Sequence, residues 1–94
     1  MKCVQVNGKD VGYTHKVVTD HHHITRVELT LTLGDLSSTH HLTIGPSDGP
    51  LPDGYDEIAL QKDLEVFRQR HAAILEGKYR AKMLAAKIVE DLDA

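Results

Sequence analysis

Seven histidines in a chain of 94 residues are the first chemistry to weigh. They fall as His15, a run His21–His22–His23, a pair His40–His41, and His71. Imidazole is the commonest zinc ligand, but a zinc site needs three or four ligands converging within about 2.1 Å of one point. The spacing argues against convergence. His21–His23 fall in a turn between two strands, whereas His40 and His41 are expected beside Leu31 and Thr30, toward the opposite end of the sheet. At about 3.3 Å per residue the two clusters would lie roughly 26 Å apart. His15 would sit opposite Val27, between them. No metal site and no cofactor are expected, and His15, His40 and His71 read as histidines at the edge of the core.

Nucleophilic catalysis needs Ser, Thr or Cys beside a base held by a third group. Ser37, Ser38 and Ser47 lie in expected turns with no G-x-S-x-G elbow around them. Cys3 has only Lys2 beside it. Gly45, Gly49 and Gly54 are interleaved with proline and lack the Gly-Lys-Ser/Thr ending of a phosphate loop. The helical carboxylates are spaced for solvent and for neighbouring turns rather than for an apolar pocket. The expectation is no catalytic residue, no small-molecule substrate and no enzyme.

Arg68, Arg70, Lys78, Arg80, Lys82 and Lys87 make the second half locally basic. Glu76, Glu90, Asp91 and Asp93 dilute that charge, and the whole chain carries −3. With only three tyrosines, one phenylalanine and no tryptophan there is little platform for base stacking. Nucleic acid is therefore not the expected partner.

These residues must be positioned by a small domain. A hydrophobic share of 40% with 27% charged residues suits a globule, and 1–94 is expected as a single domain. One cysteine allows no internal disulfide, which fits a reducing compartment. No run approaches the roughly 20 apolar residues of a membrane span, and the first residues lack a signal-peptide pattern, so a cytoplasmic location is expected.

Residues 1–44 alternate with period two. Val4 and Val6 share a face, Asn7-Gly8-Lys9-Asp10 reads as a turn, and Val11, Tyr13, His15 and Val17 follow. A four-residue loop would set Val6 opposite Val11 and Val4 opposite Tyr13. In Ile24–Leu33, Val27, Leu29, Leu31 and Leu33 point one way; Glu28, Thr30 and Thr32 point the other. A turn from Gly34 to Ser38 leads to Thr39–Ile44, with Leu42 and Ile44 apolar. The pattern predicts a four-stranded antiparallel β-meander with one buried and one solvated face.

Residues 45–54 hold three prolines and three glycines and read as a linker. Residues 55–94 read as helix, with Asp53 as N-cap. A helix over Tyr55–Glu76 would span about 33 Å and cover the sheet lengthwise. Beyond Gly77 a second helix is expected to fold back, because glycine inside a helix costs about 1 kcal/mol relative to alanine. The competing arrangement is one helix of roughly 57 Å, whose 4-3-4-3 spacing runs from Leu60 to Leu92 through Gly77. Ala81, Leu84, Ala85, Ile88 and Leu92 would then protrude as an apolar stripe.

The expected fold is thus α+β: a meander covered on one face by C-terminal helix, broken or kinked near Gly77. The expected function is that of a non-enzymatic protein-interaction protein. It would be a small accessory factor, inhibitor or assembly component, of the kind found among phage or mobile-element products, binding a protein partner and forming a homodimer. Leu75, Tyr79, Met83, Leu84, Ile88 and Leu92 are the candidate interface. The alternative is a nucleic-acid-associated or metal-binding protein that uses the basic helix or the histidine turns.

Overall fold

A computed structural model describes residues 2–45 and 49–93; Ser47, like the rest of 46–48 in the linker, lies outside the described residues. Four strands, β1 (Lys2–Val6), β2 (Lys9–Thr19), β3 (Thr25–Leu33) and β4 (Leu36–Thr43), form one antiparallel sheet in the order of the chain. They are followed by one helix among the described residues, α1 (Glu57–Asp93), packed on one face of the sheet. The α+β class, the meander and the covered face are as the alternation requires.

The turns are tighter than expected. Val6 pairs with Lys9 around Asn7-Gly8, whose φ angles of 51° and 78° suit the type I′ hairpin that follows strand twist. Leu33 pairs with Leu36 around Gly34-Asp35, with Gly34 at φ 60°. Val4 therefore faces Val11, His15 faces Leu29, and His40 and His41 face Leu29 and Glu28. Each register differs from the expected one by two residues. A shift of two keeps every side chain on its face and changes only its neighbours.

The buried core is Val4, Val11, Leu29 and Leu31 from the sheet with Ala72 and Leu75 from the helix. Val27 is also buried, but Leu33, Leu42 and Ile44 are only half-buried. On the opposite face Thr32 is exposed, while Glu28 and Thr30 are half-exposed between their cross-strand neighbours; the Thr30 and Thr39 hydroxyls lie 3.2 Å apart. The helix leaves the far part of β2 open, so His15 is exposed and Val17 is 70% exposed.

The helix starts later than expected. Pro52 to Tyr55 makes a turn, with the Tyr55 amide donating to the Pro52 carbonyl at 3.1 Å and Gly54 at φ 80°. Asp56, not Asp53, is the cap: its Oδ1 accepts the Ala59 amide at 3.0 Å.

The helix then runs without a break through Gly77, correcting the expected second helix. Its 37 residues span about 55 Å and set the longest dimension of the molecule, 61 Å. The radius of gyration, 17.3 Å, exceeds the roughly 12 Å of a compact chain this long. Contacts on both sides of Gly77 hold the helical path: Leu75 and Glu76 before it, Tyr79 and Lys82 after it. They outweigh the local preference of one glycine.

Two substitutions test this packing by chemical denaturation. Leu31→Ala should cost about 2–4 kcal/mol by leaving a cavity under the helix, whereas Thr32→Ala should cost well under about 1 kcal/mol. Nothing lies within 4 Å of the place where a Cβ would sit on Gly77. Gly77→Ala should therefore stabilise the fold by about 0.5–1 kcal/mol; a loss would mean that the helix turns there.

Candidate functional site

Three groups of side chains join the helix to the sheet, and the first is a buried charge. Glu76 sits beside Leu75 on the sheet-facing side and is 1% exposed. Its carboxylate accepts from Asn7 Nδ2 at 3.1 Å and Lys9 Nζ at 3.2 Å, and Arg80 Nη2 lies 3.4 Å away. Burial works to raise its pKa, but the bonds from Lys9 and Asn7 and the charges of Arg80 and Lys9 outweigh it, and the net direction is down. Lys9 Nζ also stands 5.3 Å from the centre of the Tyr79 ring. By spacing and composition alone Glu76 reads as part of a solvated face. The signal for another role was its place next to Leu75, between Ala72 and Tyr79 on the core side.

The second group fastens the other hairpin of the same sheet end. The Tyr79 ring lies against Gly34, so close that a Cβ there would come within 2.7 Å of it. One residue on, Asp35 accepts a hydrogen bond from Lys82.

The third group contains two of the singled-out histidines. His40, from β4, stacks on His71, from α1, with ring centres 3.8 Å apart, and Phe67 meets His71 edge-on at 4.6 Å. His40 Nε2 lies 3.0 Å from Ser38 Oγ. Nδ1 of His71 and Nε of Arg68 are buried with no hydrogen-bond partner among the described residues, and the Arg68 guanidinium lies 4.7 Å above the Tyr13 ring. The stack was not legible beforehand because the two histidines lie on different elements and the expected register set His40 beside Leu31. Burial first, then His40 and Arg70, depress the His71 pKa.

The remaining histidines stay apart. Asp20 builds their turn: its Oδ1 accepts the amides of His22 at 2.8 Å and Ile24 at 3.1 Å, and its Oδ2 takes Arg26 at 3.1 Å. The rings of His21 and His22 are 3.9 Å apart. His41 pairs with Glu28 at 3.1 Å on the outer face. Among the described residues no group of three or more His, Cys, Asp or Glu is arranged to hold a metal ion. Cys3 is exposed on β1.

Past Lys82 the helix leaves the sheet. Residues 83–93 extend about 16 Å beyond the last contact, and every one of them is exposed. Of the expected interface residues, Leu75 belongs to the core at 3% exposure and Tyr79 is half-buried, so these two are withdrawn from any free surface. Leu84, Ile88 and Leu92 are 58%, 55% and 77% exposed and share one side of the helix with Ala81 and Ala85. Met83 is also exposed but points about 160° away, to nearly the opposite side of the helix.

No family model, curated protein or solved structure matches this chain. No helix among the described residues is long and apolar enough to cross a membrane.

The histidine stack predicts a pH dependence. The folded state holds His71 below its ordinary pKa, so on acidification below roughly pH 6.5 the unfolded chain takes up the proton more readily and stability falls. His15, exposed but partly desolvated by its neighbours and facing the charges of Arg68 and Lys2, is also depressed and acts in the same direction. The urea midpoint should drop between about pH 7.5 and pH 5.5, a range in which the depressed Asp20, Asp35 and Glu76 carboxylates stay ionised. His71→Phe should reduce that slope and leave the part due to His15.

Proposed function

We propose that this chain is a non-enzymatic assembly protein of the cytoplasm, and that its working surface is the projecting end of α1. One observation carries this reading: a stretch of helix stands clear of the fold and exposes Leu84, Ile88 and Leu92 on one side. Soluble proteins rarely expose contiguous apolar surface without a use for it, and such patches mark contact sites. An amphipathic helix presenting anchors at i, i+4 and i+8 is also a recurring form of protein recognition. The sheet end beneath is fastened at two hairpins, which gives the projection a rigid base.

The test is photo-crosslinking in the cells that make the protein. A photoreactive residue in place of Ile88 should give one discrete protein adduct, to another protein or to a second copy. The same residue in place of Thr32, on the polar sheet face, should give none. Equal capture from both positions, or no adduct from position 88 in folded, abundant protein, would remove the projecting helix from the function.

A further inference from the structure

We propose that the occupant of the exposed helical stripe is a second copy of this chain, its projecting helix packed antiparallel about a two-fold axis. The inference rests on the preceding reading of the projection as a contact surface. What selects a second copy is charge. The exposed side of the helix is basic where it leaves the sheet, at Lys78, at Arg80, which also faces Glu76, and at Lys82, which also holds Asp35; Lys87 continues the positive charge, and the tip is acidic at Glu90, Asp91 and Asp93. A parallel pair would set like charge beside like charge along its whole length. An antiparallel pair sets the acidic tip of each chain against the basic neck of the other.

The same charges choose a register. Lys78 and Asp93 have residue numbers that sum to 171, as do those of Arg80 and Asp91. In an antiparallel pair, residues whose numbers share a sum lie level with one another. One alignment therefore satisfies both pairs, each occurring twice by symmetry. Arg80 and Asp91 lie on the same flank of the stripe at about 100° per residue, and an antiparallel two-fold brings like flanks together. In this alignment Ile88 of one chain projects over Ala81, Leu84 and Ala85 of the second copy. Two small residues there leave room for its side chain, as a knob needs a hole.

The sheet does not obstruct this arrangement. The side of the helix that meets the sheet is centred on Ala72, Leu75 and Tyr79, about 160° around the axis from the stripe. The second helix thus lies outside, and the two sheets sit at opposite ends of a shared helix pair. The paired length is about 25 Å, which belongs with small interfaces and implies affinity in the micromolar range.

Sedimentation equilibrium of the full chain from about 1 to 200 µM reads the association over the range expected for such an interface. The wild type should pass from monomer to dimer. Ile88→Asp should weaken the dimer more than tenfold without changing the circular dichroism of the monomer, because Ile88 touches nothing in its own core. Lys78→Asp and Asp93→Lys should each weaken it about fivefold, and the double substitution should return it to within about twofold of wild type. Three results would overturn the proposal: a wild type that stays monomeric throughout, a dimer indifferent to Ile88→Asp, or a charge reversal without rescue. A monomer in solution that still yields a discrete adduct to a different protein from position 88 would reject self-pairing and keep the assembly reading. A monomer with no adduct would reject both.

Discussion

The position of the helix on the sheet is set by one buried carboxylate. Glu76 is removed from water, and a buried charge is costly unless its partners are in place. Its partners are Asn7, in the two-residue turn, and Lys9, the first residue of β2, so only one placement of the helix satisfies it. Apolar contacts alone would tolerate a helix slid or rotated by part of a turn. With Glu76 fixed, Tyr79 falls on Gly34, Lys82 reaches Asp35 and His71 comes beneath His40. The direction in which the projection leaves the sheet is a consequence of the same anchor.

Faces were legible in the sequence and neighbours were not. Alternation at Val27, Leu29, Leu31 and Leu33 reports which side of a strand is buried, because side chains alternate with period two. It carries no information about a shift of two, which is why each of the three strand pairings lies two residues from the expected register. Turn length decides such shifts. The Asn7-Gly8 dipeptide contained the answer, since both of its residues adopt the positive φ of a two-residue hairpin. The continuity of α1 was hidden for a different reason. Gly77 is a local signal, and the contacts that override it come from residues 7, 9, 34 and 35, far away in the chain.

The histidines show the same division. The run at 21–23 is explained locally by Asp20, whose carboxylate organises the turn around itself. The stack of His40 on His71 is a tertiary fact, and no spacing within either element announces it. Both edges of the sheet are modest. β1 has five residues and begins with a lysine, and β4 is rich in serine, threonine and histidine. Short or polar edges discourage pairing with other sheets, which leaves the helix as the surface with most to gain from contact.

The order of the elements also shapes how the chain reaches this state. Every strand pairs with its neighbour in sequence across a tight connection, so the sheet can assemble from local contacts, which are quick to form. The bond between Asn7 and Glu76 instead closes a separation of 69 residues. During synthesis the residues of the meander leave the ribosome before those of α1, because they come first in the chain. A sheet formed at that stage would hold its apolar face, with Leu29 and Leu31 at the centre, uncovered until a helix from the far half of the chain arrives. In that interval such a sheet would offer an unsealed surface to its surroundings, and the docking of residues 72–76 would end the exposure.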